Sequence, residues 1–496
     1  MRNPSMPSCR AYRTERVNAL FNPVRRFRAF AHLLRFNRLD PPRMLRAAFL
    51  LLPLALSPVA VANAPSAPSL DIKISRLQGL LDLASSYCDT GDGSPVLRRI
   101  LVEAAAPAPE ETVRLRRFCG IDRWRGFTSA QDRPRGYGRR TSPWWRLQDA
   151  AVLASDPDAF ARRIAVDYNE GERRIVLDAL AAIEPYYIAG VERPLASPAA
   201  AMAEGLREHV RRHRVEALLA SVARFYGMPA AADVPWVVGM SPLPAGSGSF
   251  SATVNGHVIR SFMPVDCRDY TGYASVMVHE VAHVLFGEQP LAQVDLMRAA
   301  FRNAPSPNRR YAEAWINEAL ATAVGNGWAY RRMAGHDDPA PWYDEPVIDA
   351  YARSIAPRIY AYLDAEAPLD AALMDGWAAE FDRALPDARR NPDVLLSHLV
   401  LATSATREVA GGWQRSLRAR TQVRALSLVT EAPEDHVPDE AATILRVEIG
   451  GDGAPGTWAR EEAVDGRWIF RVRLRDADAF PAALDALVAA IRADTW

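Results

Sequence analysis

The chain is almost without lysine and poor in cysteine. Of 60 basic residues only Lys73 is a lysine, a bias that reflects arginine-rich codon usage and carries no functional reading. The four cysteines, Cys9, Cys88, Cys119 and Cys267, contain no C-x-x-C pair, so a thiolate zinc site is not supported. No internal repeat or low-complexity run stands out. Long apolar runs are missing as well. The clearest, residues 47–62, is broken by Pro53 and Pro58 and falls short of the ~20 residues of a membrane helix. No cysteine follows it closely, so a lipoprotein anchor is not indicated.

What that stretch does resemble is a leader. Met44-Leu45-Arg46 is a charged start, a short apolar segment follows, and Ala62-Asn63-Ala64 offers a small-residue cleavage site. Residues 1–64 are therefore expected to be a leader and signal peptide, with Met44 as an alternative initiator and an organelle transit peptide as the rival reading. They hold eleven arginines against Glu15 and Asp40; without them a chain of +1 becomes one of −8. A mildly acidic protein is a poor partner for nucleic acid. The expected location is periplasmic or secreted, without a stable membrane span once the signal is removed. In that setting one disulfide can form, for which Cys88 and Cys119 are a candidate pair with the pairing left open, and Cys267 is expected to be a small buried residue.

The strongest positive signal is Val276-Met277-Val278-His279-Glu280-Val281-Ala282-His283-Val284-Leu285. Histidines at i and i+4 share one helix face, so His279 and His283 can reach one Zn²⁺. Glu280 sits about 100° around the helix, placed to touch a metal-held water without becoming a ligand. Glu280 is the only charged group from Val276 to Leu285, and Gly287 with Pro290 stops the helix. The competing reading is a core helix with two satisfied histidines. A third ligand is still needed. Phe286 and Gln289 stand where H-E-x-x-H-x-x-G-x-x-H requires Gly and His, so that pattern fails. Two glutamates remain, Glu313 and Glu318, on an alanine-rich segment and about 140° apart, so both cannot face the metal.

An apolar H-E-x-x-H helix followed by Trp315-Ile316-Asn317-Glu318-Ala319-Leu320-Ala321 resembles the gluzincin zinc metallopeptidases, the group that includes thermolysin and the zinc aminopeptidases. The resemblance covers residues 235–330, about a fifth of the chain. It implies Glu318 as third ligand of one Zn²⁺, Glu280 as general base, and peptide-bond hydrolysis. It also implies a Tyr or His from a later segment as oxyanion donor, for which Tyr351, Tyr360 and His336 are the candidates. Tyr351 shares a helical face with Ile348, Ile355 and Tyr362, which makes it equally a core residue. Thr322 departs from the pattern, standing where thermolysin-like enzymes carry an aspartate that orients the first histidine.

Zincins bind substrate along a sheet edge. Residues 235–240 read as a strand, and 249–254 and 257–262 as a hairpin about Asn255-Gly256, with His257 a turn histidine. The expected fold is α+β and mostly helical, a zincin-like core of small sheet, H-E-x-x-H helix and glutamate helix. The expected division is a helical N-terminal domain (65–228), the catalytic core (229–340), a helical domain completing the cleft (341–420) and a small α/β module (421–496). The function expected is an exported zinc metallopeptidase acting on peptide or protein substrates. The alternative is a non-catalytic zincin-like binding protein of the cell envelope, suggested by Thr322 and the unassigned oxyanion donor.

Overall fold

Alternating and β-branched segments pair into two small sheets, each closed at one edge by an antiparallel strand. The computed structural model describes residues 68–88, 93–103, 107–123, 142–228, 235–430, 441–450, 458–462 and 466–495; the leader expected over 1–64 lies outside them. The first sheet has the order β1-β2-β4-β3, from Leu70–Ile74, Trp236–Leu243, Val258–Pro264 and Ser251–Asn255 respectively. β1, β2 and β4 run parallel, and β3 returns antiparallel on β4. Asn255 pairs with Val258, so the turn is Gly256-His257, and Gly256 takes the positive φ of 53° that a tight hairpin needs.

The second sheet has the order β6-β5-β7-β9-β8, with β5 His398–Thr403, β6 Ala425–Thr430, β7 Thr443–Ile449, β8 Trp458–Glu462 and β9 Trp468–Leu474. β5, β6, β7 and β9 are parallel and β8 is the antiparallel edge. The span to 416 reads as helical in the sequence, so β5 corrects that expectation. Its six residues are too short and too uniformly buried for a period to show. Because β5 lies between β6 and β7, a boundary at 420 cuts through a sheet. β1 corrects the other end, since the first described strand belongs to the sheet of the central region.

Helices supply the rest, and the fold is a mostly helical α+β. Four N-terminal helices begin on proline (Pro95, Pro109, Pro143, Pro157), where the missing N–H costs nothing. Leu77, Leu80, Leu81, Val176, Leu180 and Ile183 fill one core. A larger core runs from Met202 through the H-E-x-x-H helix to Ile491 and unites the central region with the C-terminal sheet. Cys88 and Cys119, the candidate pair, form a disulfide between two N-terminal helices, and Cys267 is buried. Trp144 is buried and packed on Phe118. Among the described residues no helix is long and apolar enough to cross a membrane.

One buried acid ties the N-terminal helices to the first sheet. Asp82, on helix Arg76–Tyr87, faces Arg260 of β4 and Ser241 of β2, beside Gln78, which donates to the Gly239 carbonyl. Burial pushes the Asp82 carboxyl up to about 6, and the charge of Arg260 offsets this only in part. The folded protein then keeps a proton that the unfolded chain releases near pH 4, so stability is lost as pH rises from about 4 to about 6. The unfolding midpoint should fall by roughly 5 °C across that window, and Asp82→Asn should flatten the slope. An unchanged slope in the variant would assign the dependence to other groups.

Candidate metal centre

The H-E-x-x-H sequence lies in helix Tyr270–Gly287, started by Asp269, whose carboxylate accepts from the Gly272 amide. Apolar residues surround it on nearly every side, so the helix is buried from Tyr273 to Leu285 except at His283. The glutamates lie in helix Arg309–Thr322, which packs against it. His279 is 1% exposed and Glu280 2%. The His283 and Glu318 side chains are 15% and 22% exposed, so the cluster opens to solvent on their side.

Three donor atoms converge. The Nε2 atoms of His279 and His283 are 3.0 Å apart, and Glu318 Oε2 lies 3.9 and 3.5 Å from them. A tetrahedral zinc with bonds near 2.0–2.1 Å holds its ligand atoms roughly 3.3 Å apart. The protonation pattern fits the same group. Asn326 donates its amide to the Trp342 carbonyl, which turns its Oδ1 toward His279 Nδ1 at 3.0 Å. Asn317 Oδ1 lies 3.1 Å from His283 Nδ1. Neutral imidazoles that donate from Nδ1 carry a lone pair on Nε2, and two such nitrogens 3.0 Å apart need a shared proton or a metal ion between them. The three side chains could hold a metal ion.

The partner of His279 is Asn326, not Thr322. Thr322 is fully buried and its hydroxyl has no hydrogen-bond partner. Beyond Thr322 the helix widens into π-helical turns over Ala323–Ala329, which rotate Asn326 onto the histidine. Gly325 makes this approach possible. A Cβ there would stand 2.5 Å from the His279 backbone nitrogen and 2.6 Å from its Cα. Gly325→Ala should destabilise the protein by about 1–3 kcal/mol through overpacking and weaken metal binding by moving Asn326. Denaturant titration and chelator competition measure the two effects; an unaltered metal affinity would show that Asn326 orients nothing.

Neither sequence-predicted tyrosine reaches the cluster. Tyr351 is fully buried, donates its hydroxyl to the Trp377 carbonyl and packs edge-on against Phe381, so it is a core residue. Tyr360 lies beyond the π-helical turns, where it stacks on Trp342 and its hydroxyl faces Gly327. His336 is exposed, bonded to the Asp337 carbonyl, and His257 stacks flat on Trp236. Glu313 lies outside the cluster beside Arg310, and burial raises its carboxyl.

Besides Asn326, two further residues at the site carry no role in the sequence analysis. The Tyr343 ring lies against His279, centroids 6.1 Å apart and 24° from parallel. Arg424, just before β6, places Nη2 3.2 Å from Glu318 Oε1 and donates to the Tyr343 hydroxyl at 3.3 Å. Tyr343 lies in a loop with no period, and Arg424 is distant in the chain, so neither carries a local signal. For Asn326, the Gly325-Asn326-Gly327 interruption of a helical run was the available hint. No family model, no curated protein and no solved structure matches the chain.

Proposed function

We propose that the chain is a zinc-dependent metallopeptidase with a zincin-like core, hydrolysing peptide bonds in an extended peptide or protein substrate. The observation that carries the reading is the convergence of His279 Nε2, His283 Nε2 and Glu318 Oε2, with Glu280 next to His279 on the helix. A bound zinc ion supplies Lewis acidity, lowering the pKa of a water molecule and polarising a peptide carbonyl. The two histidines and Glu318 would hold it with a net charge of +1, which the neutral Asn326 and Asn317 would leave undiminished.

Glu280 receives the proton of the attacking water on a carboxylate oxygen and returns it to the leaving amine. Its burial keeps bulk water from competing for that proton. Tyr343 replaces Tyr351 and Tyr360 as the oxyanion donor. Its oxygen accepts from Arg424, so its own O–H proton is not used in that bond. The substrate adds along β3, the antiparallel edge of the first sheet, which packs on the H-E-x-x-H helix beside the Phe250–Tyr273 ring contact. The binding-protein alternative, suggested by Thr322 and the unassigned donor, differs in expecting metal uptake without peptide turnover. Export belongs to the same proposal, because the Cys88–Cys119 disulfide suits an oxidising compartment.

The test is metal analysis of the purified protein together with hydrolysis of a quenched-fluorescence peptide library. One zinc per chain is expected, with turnover abolished by a chelator and restored by zinc. Chelator-insensitive turnover, or a protein that takes up no zinc, overturns the reading.

A further inference from the structure

The second sheet is built as a platform for the helix that carries Glu318. Its parallel strands all begin at one end, and that end meets the glutamate helix residue by residue. Glu318 contacts Arg424 before β6, and the Trp315 ring meets His398 at the start of β5, centroids 5.1 Å apart. Tyr311 shares a 2.7 Å hydrogen bond with Thr443 at the start of β7. Arg309 lies against Gly466, two residues before β9. The sheet order is β6-β5-β7-β9, so the helix crosses the strand starts in register, and Tyr311, Trp315 and Glu318 form the face it sets down.

We propose that Arg424 is a positioning residue of the metal centre, and that the C-terminal sheet carrying it is an obligatory part of that centre. The inference rests on the metal reading above and deepens it. The two oxygens of Glu318 are divided: Oε1 faces the guanidinium, and Oε2 faces the two imidazoles. A carboxylate held this way presents one oxygen to the ion. One oxygen from this carboxylate would leave a position for water on a bound ion. Without the guanidinium the carboxylate is able to rotate and chelate through both oxygens, closing that position. Arg424 is itself fixed, its guanidinium 5.8 Å from the Trp315 ring and 6.0 Å from Tyr343. The fork of an arginine suits this double contact, and a lysine ammonium makes only part of it.

The experiment uses the full chain, stripped of metal and reloaded with zinc or cobalt(II). Affinity is read by chelator competition and coordination by the cobalt visible spectrum. Arg424→Met should weaken zinc binding about 10- to 100-fold. Its cobalt bands should lose intensity as the ion moves from four- to five-coordinate. Arg424→Lys, which keeps the charge, should lie between wild type and Met in both readouts, and it carries the test if the Met variant fails to fold. Thr443→Val removes a contact of the same interface without touching Glu318, and should keep the wild-type spectrum. If Arg424→Met matches wild type in affinity and spectrum, or if Thr443→Val weakens metal equally, Arg424 does not position the ligand. If the wild type binds neither zinc nor cobalt, the metal reading itself falls and this inference with it.

Discussion

Glu280→Gln should leave the protein folded and zinc-loaded while lowering kcat/KM by about 10²–10⁴-fold. The amide has the size and shape of the carboxylate, so the buried wall around position 280 keeps its packing. Glu280 is not among the three groups whose donor atoms converge, so metal stoichiometry should not change. What is lost is the ability to accept a proton. A Gln amide oxygen still orients a water molecule, but it cannot take the proton that must reach the leaving amine. The loss should therefore appear mainly in kcat, with KM nearly constant. Turnover within about tenfold of wild type, at equal zinc content, would show that another group is the base.

Glu318→Ala should remove metal and cost stability together. One of three ligands is lost, and with it the negative charge that partly balances the ion. Arg424 also loses its carboxylate partner in a half-buried position, and stranding such a charge costs up to about 3–5 kcal/mol in the fully buried limit. The real cost should be smaller, because both side chains remain partly in contact with water. Metal content after dialysis and an unfolding curve measure the two losses. Glu313→Ala is the matched control, since Glu313 pairs with Arg310 away from the cluster. Zinc retained in Glu318→Ala and lost in Glu313→Ala would reverse the ligand assignment.

The elements that local pattern describes well are those whose side chains repeat over several turns. Of the two expected faces, Leu77, Leu80 and Leu81, and Val176, Leu180 and Ile183, are buried, whereas Ile74 belongs to β1 and Leu177 is only half-buried. The Asn255-Gly256 hairpin lies one residue from its expected register. Short strands without a period escaped: β1 at the start of the described chain, and β5 between helices. Tyr351 misled for the opposite reason. Its face is core at Ile348, Tyr351 and Ile355 and half-buried at Tyr362, so a period that finds burial says nothing of reactivity.

The division at the site itself follows the range of the forces. His279, Glu280 and His283 take their mutual geometry from 3.6 residues per turn, a property of the backbone that holds wherever the helix packs. Nothing beyond one capped, apolar helix is needed to set them, and so the sequence alone carries them. The orientation of each imidazole is another matter. It depends on Asn326 arriving through π-helical turns over Gly325, and on Asn317 from a second helix. The division of the Glu318 carboxylate depends on Arg424, and the ring beside His279 on Tyr343. These contacts exist only because distant segments share one core, and hydrogen bonds of about 3 Å leave no trace in local periodicity.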